Sequence, residues 1–184
     1  MNVQVPDRIL LCICSLLFPF LSASQQPSGE SGSAAGLRVN QERLQQSLQA
    51  LADYGRNEDG APNRVAFSDG DLEGRAYVLG LMQEAGLETR IDAAGNIIGL
   101  RPGRDAEKPP IAFGSHIDMV PLGGNYDGCV GSLAAIEVIR TLNENNIRTT
   151  HPLEVLIFSN EEGGVMGSRA MVGSLKPGAL QVVN

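Results

Sequence analysis

The stretch from Ile111 to Phe158 constrains the fold more than any other part of the chain. Ile111-Ala112-Phe113 is a short apolar run. Leu133, Ile136, Ile139 and Leu142 then recur at helical spacing between Gly131 and Asn143. Leu153–Phe158 is apolar at five of six positions, the pattern of a strand buried on both faces. Strand, helix and strand in this order predict a parallel pair joined by a right-handed crossover, and hence an α/β fold with a mixed, largely parallel sheet. No internal repeat is visible.

The segments before this unit read as its supports. Asn40 is placed as an N-cap for a helix over about 41–54, with Leu44, Leu48 and Leu51 on one face and Gly55 as its stop. Residues 55–67 are loop-like. A second helix starts near Ser68 or Asp69, with acids at Asp69, Asp71 and Glu73 suited to its positive end and Gly86 closing it. Glu88–Asp92 and Asn96–Leu100 read as a hairpin around Ala94-Gly95. The Pro- and charge-rich segment 102–110 is expected on the surface.

The amino terminus reads as an address. Ile9–Leu21 carries no charge, follows Arg8, and as a helix would span only about 20 Å, short of a bilayer core. Ser22-Ala23-Ser24 supplies small residues for cleavage before Gln25, so residues 1–24 are expected to be a signal peptide and the protein to be exported, with no membrane attachment after cleavage. Residues 25–39 are expected to form a flexible linker and 40–184 a folded domain. With Cys12 and Cys14 in the leader, Cys129 is left without a disulfide partner. A net charge of −7 with no dense basic cluster, and five Phe and three Tyr with no Trp, argue against nucleic acid as a partner. The expected partner is a small-molecule substrate.

Three polar clusters lie just beyond buried elements: Gly114-Ser115-His116-Ile117-Asp118, Gly123–Gly128 with Asp127, and Ser159-Asn160-Glu161-Glu162-Gly163. Ligands bind outside the carboxyl ends of strands in open α/β sheets. His116, Asp127, Glu161 and Glu162 are therefore expected around one crevice. An imidazole with several carboxylates suits Zn²⁺, Mn²⁺ or Co²⁺, and the two oxygens of Asp127 can bridge a pair of ions. Asp118 is placed to accept the second ring N–H of His116. Of the adjacent Glu161 and Glu162, one can bind metal while the other takes a proton from water. Each residue alone has an ordinary reading: a structural His, a solvated Glu pair, an Asp-Gly turn. Their joint placement favours metal, and Ser115 lacks the elbow motif of a nucleophile.

The segments GSHIDMVPLGGNYDGCVGSLAAIEVIRTLNENNI, HPLEVLIFSNEEGG and MGSRAMVG, with FSDGDLEGRAYVLGLMQEAGLETRIDAAGNIIGLRPG upstream, resemble the amidase/hydantoinase/carbamoylase branch of the M20 metallohydrolases. The resemblance runs over about residues 40–184. It implies the front part of a three-layer α/β/α zinc-hydrolase-type catalytic domain that cuts linear C–N bonds of carbamoyl or ureido compounds. Exported aminopeptidases, carboxypeptidases or aminoacylases of the same family are the alternative, and a catalytically incomplete fragment is another. Two divalent ions are implied, Zn²⁺ first, with Mn²⁺ or Co²⁺ as alternatives. His116 would ligate one ion, Asp127 bridge both and Glu162 ligate the second. Glu161 would be the general base, Asp118 would orient His116, and Asp127–Gly128 would be a cis peptide. The family completes its site with two histidines further downstream. The one other histidine here, His151, precedes a strand at the end opposite Glu161, so the chain is expected to be the N-terminal part of a longer, homodimeric protein. Where the family has an Arg-Phe stretch after Glu-Glu-Gly, this chain has only Gly164-Val165-Met166 before Gly167-Ser168-Arg169.

Overall fold

Capping chemistry sets the first two helices of a computed structural model that describes residues 36–176 and 178. Asn40 accepts a hydrogen bond from the Arg43 N–H at 3.0 Å and opens α1, Gln41–Leu51. Ser68 accepts from the Asp71 N–H at 3.3 Å and opens α2, Asp69–Glu84. Gly86, at φ 78°, then turns the chain out of the helix. The expected signal peptide and most of the expected linker lie outside the described residues.

Four strands follow: β1 Glu88–Ile91, β2 Ile97–Arg101, β3 Ile111–His116 and β4 Leu153–Phe158, with α3 Cys129–Glu144 between β3 and β4 and a short α4, Met166–Met171, after them. They form one sheet in the order β1-β2-β4-β3. The expected hairpin is present, β1 pairing antiparallel with β2, and the expected parallel pair is present as β3 and β4. The sheet is mixed, yet less parallel than expected: β2 meets β4 antiparallel, so one pairing in three is parallel. The hairpin docks through β2 onto the free edge of β4, a long-range pairing with no local signature.

Val78 and Met82 of α2, Leu51 of α1 and Leu133, Ile136 and Ile139 of α3 pack on the sheet face that presents Ile97, Val155 and Ile157. These side chains are almost wholly removed from water, each contributing about 1.5–3 kcal/mol of transfer free energy. Gly99 on this face lets β2 approach α2, since a Cβ there would stand 2.5 Å from Met82 Cε. Among the described residues the long helices supply one layer on the sheet, and no second layer of comparable helices accompanies it. Among the described residues, no helix is long and apolar enough to cross a membrane.

Glu137 is one of the buried charges on the helical side. It accepts from Arg43 Nε at 2.8 Å and Nη2 at 2.6 Å, and from the Asn40 N–H at 3.1 Å. That network ties the start of α1 to α3 and satisfies a carboxylate that is 2% exposed.

Candidate metal centre

Parallel register decides where the polar clusters meet. His116 is paired with Phe158, so β3 and β4 end level with one another. The chain leaving β4 therefore enters Ser159–Glu162 directly beside the imidazole. α3 descends onto the same place: Ser132 Oγ donates to the His116 carbonyl at 2.8 Å, and Gly131 leaves room for the Ser115 side chain. This seats Asp127, just ahead of the helix, where the partial positive charge of the N-terminus favours a carboxylate.

The result is a cluster of acceptors around one ring nitrogen. His116 is buried, with Nδ1 3.0 Å from the Asp118 carbonyl oxygen. Nδ1 therefore carries the proton in the neutral ring, and Nε2 is left with a lone pair. That nitrogen lies 3.6 Å from Glu161 Oε2 and 4.0 Å from Asp127 Oδ1. Burial pushes the Glu162 carboxyl above the usual carboxylate range, and the neighbouring charges of Asp127, Glu161 and Asp118 push the same way against the opposing pull of His116. Carboxylates crowded like this around a ring lone pair repel one another.

A divalent cation answers this arrangement. Two donors on one tetrahedral Zn²⁺ stand roughly 3.4 Å apart, given bond lengths near 2.0–2.1 Å. The separation of His116 Nε2 from Asp127 Oδ1, 4.0 Å, is roughly 0.6 Å longer than that value. Among the described residues, no group of three His, Cys, Asp or Glu side chains is placed to hold a metal ion. The chemistry of the donors, one imidazole nitrogen facing carboxylate oxygens, fits a metal as two ligands of a larger set, His116 and Asp127.

Asp118 is at the centre as expected, but through different atoms. Its backbone carbonyl, not its carboxylate, holds the His116 ring; Oδ1 is 3.6 Å from Nδ1. The carboxylate, 3% exposed, instead accepts the N–H groups of Glu161 at 3.2 Å and Glu162 at 3.1 Å. Backbone amides win because they present fixed donors in a buried place where every carboxylate lone pair needs one. The expected cis bond is not found: among the described residues no peptide is cis. The chain turns instead through Gly128 at φ 63°, ψ −46°, a conformation open to a residue without Cβ. His151 bonds the Pro109 carbonyl at 2.9 Å, before β4 begins and away from Glu161.

Two further residues serve the site without any sequence signal that marked them. Asn96, fully buried in the β1–β2 turn, accepts the Ser159 N–H at 3.0 Å and donates to the Gly167 carbonyl at 3.1 Å. Arg64 is also fully buried, and its guanidinium reaches the loop after β3. A charged side chain inside an Asn- and Pro-containing loop looks solvent-facing when read from composition alone.

Residues 112–183 match the model of peptidase family M20/M25/M40. The chain is 41% identical over 148 residues to N-carbamoyl-L-amino acid amidohydrolase of Geobacillus stearothermophilus, covering 78% of this chain and 36% of that protein. It is 37% identical over 162 residues to ureidoglycolate hydrolase of Oryza sativa subsp. japonica, covering 85% and 34%. A crystal structure of a hydantoinase/carbamoylase family amidase from Burkholderia ambifaria superposes with a TM-score of 0.73 at 39% identity, covering 76% and 36%. The chain thus spans about a third of the length of these relatives. Residues 112–183 belong to peptidase family M20/M25/M40, and the chain around them is similar to its hydantoinase/carbamoylase amidases.

Proposed function

We propose that the chain is the front part of a metal-dependent hydrolase that cuts linear C–N bonds of carbamoyl or ureido compounds. The observation that carries this reading is the placing of His116 Nε2 opposite the carboxylates of Glu161 and Asp127 at the level ends of β3 and β4. The similarity to an N-carbamoyl-L-amino acid amidohydrolase and a ureidoglycolate hydrolase supports the substrate class. His116, Asp127 and Glu162 would hold two divalent ions, Zn²⁺ first. When bound, the ions supply positive charge that polarises the substrate carbonyl and lowers the pKa of water.

The chain's own residues then have distinct tasks. Asp118 fixes the ring of His116 through its carbonyl, and through its carboxylate fixes the backbone on which Glu161 and Glu162 stand. Glu161, 35% exposed, faces the crevice and accepts a proton from the attacking water. It returns that proton to the departing nitrogen as the C–N bond breaks. The exposure of Asp127, at 77%, leaves the crevice open to a small substrate from that side.

The leader-like run Ile9–Leu21 and the small residues after it support export. A homodimer of the longer protein is part of the same reading. The test is an assay of the protein supplied with Zn²⁺, Mn²⁺ or Co²⁺ against N-carbamoyl amino acids, ureidoglycolate and dipeptides. Release of ammonia from the carbamoyl or ureido compounds is expected. Hydrolysis of dipeptides alone would move the chain to the peptidase reading.

A further inference from the structure

Arg64 lies outside every motif in the chain, yet it is fully buried and, among the described residues, makes no hydrogen bond to a carboxylate. Nε donates to the Ile117 carbonyl at 2.7 Å. Nη1 donates to the carbonyls of Leu51 and Tyr54, both at 2.9 Å, at the end of α1. Nη2 reaches Cys129 Sγ at 3.2 Å, in the first turn of α3. Its own carbonyl accepts the Met119 N–H at 2.9 Å. Burying a guanidinium on carbonyls and a thiol is costly compared with an apolar side chain of the same size. The contacts show what the cost achieves. Ile117 and Met119 flank Asp118, so Arg64 grips both sides of the residue that holds His116, Glu161 and Glu162. Cys129 is two residues beyond Asp127, so the same side chain also grips the second cluster.

We infer that Arg64 is the positioning residue of this centre: one guanidinium that locks the His116–Asp118 loop to the Asp127–Cys129 turn and sets their separation. The role deepens the hydrolase reading and rests on it, whereas the clamp itself is a property of the metal-free protein. Planar, forked donors are what the site requires, and lysine, with a single ammonium, can satisfy only part of the set.

The test compares Arg64→Met, Arg64→Lys and a core control, Val78→Ala, which is equally buried but takes no part in the clamp. Two readouts are taken on protein kept folded: at pH 8 without metal, the ring ¹⁵N shifts of His116 and amide exchange at Glu161 and Glu162; then Co²⁺ affinity by titration. Arg64→Met is expected to mix the His116 tautomers, speed exchange at both amides at least tenfold and weaken Co²⁺ binding at least tenfold. Arg64→Lys should recover part of each, and Val78→Ala should stay within twofold of the parent. Cys129→Ala, which removes the Arg64 contact toward Asp127 together with a longer Sγ contact to the Ile117 carbonyl, serves where Arg64 variants do not fold, with about threefold weaker Co²⁺ binding expected. Unchanged tautomer, exchange and affinity in a folded Arg64→Met would overturn the inference, as would equal losses in Val78→Ala. A parent that binds no Co²⁺ while Arg64→Met still loosens His116 would sink the metal reading and leave the clamp standing.

Discussion

Replacing Gly128 with alanine is the sharpest perturbation the geometry offers. At φ 63°, ψ −46° the backbone is in a region that a residue with Cβ rarely occupies, at a cost of about 1–3 kcal/mol. The added methyl would also stand 2.6 Å from His116 Cδ2 and overlap the ring edge that carries Nε2. Ordinary contact begins near 3.4 Å, so ring or helix must yield by roughly 1 Å, an overpacking cost of about 1–3 kcal/mol. The sum, about 2–6 kcal/mol, is a large part of the ~5–15 kcal/mol that holds a domain together. Metal ligands sit within about ±0.2 Å of their ideal distances, so a displaced imidazole should weaken Zn²⁺ binding by about 10- to 100-fold. Urea denaturation followed by circular dichroism gives the first quantity, and competitive titration of the folded variant gives the second. A Gly128→Ala protein with parental stability and parental Zn²⁺ affinity would refute the placement of His116 against this turn.

Three other outcomes follow from buried groups. Glu137→Ala should cost about 2–4 kcal/mol in urea denaturation, a range lowered because Arg43 is 29% exposed and recovers some hydration; a loss below about 1 kcal/mol would mean the network is dispensable. Burial pushes the Cys129 thiol up and hides it, so mass mapping should find it unlabelled by a disulfide reagent in the native protein and labelled in denaturant. Burial also raises the Asp71 carboxyl, so the folded chain holds that proton more tightly than the unfolded one. The stability this brings is full below the unfolded pKa of about 3.9 and is lost as pH rises through the folded value. Asp71→Asn should therefore gain in Tm relative to the parent between about pH 4 and pH 7, and a flat difference would contradict the direction of that shift.

Local chemistry in the chain was legible where it was strong. Asn40 caps the helix it was expected to cap, the second helix starts at Asp69 behind a Ser68 cap as its expected start near Ser68 or Asp69 allows, Gly86 ends α2, and β4 falls on Leu153–Phe158. β3 runs on to His116 rather than stopping at Phe113, because parallel pairing with β4 supplies backbone partners that polar Gly114-Ser115-His116 does not announce. α3 begins at Cys129 rather than Gly131, since its first turn is set by the loop it leaves. The meeting of His116 with Asp127 and Glu161 followed from their positions at strand and helix ends. What composition hid was non-local: the antiparallel docking of β2 on β4, the carboxylate of Asp118 turning to two amides, and the burial of Arg64 and Asn96. Each depends on which segments meet in space, and no window along the chain contains both partners.

Anomalous diffraction from crystals of the protein grown with Zn²⁺ tests the central claim most directly. An ion is expected within about 2.2 Å of His116 Nε2, with an Asp127 oxygen in the same coordination shell. An ion bound elsewhere, or an Nε2 that donates to a carboxylate while Zn²⁺ is in excess, would contradict it.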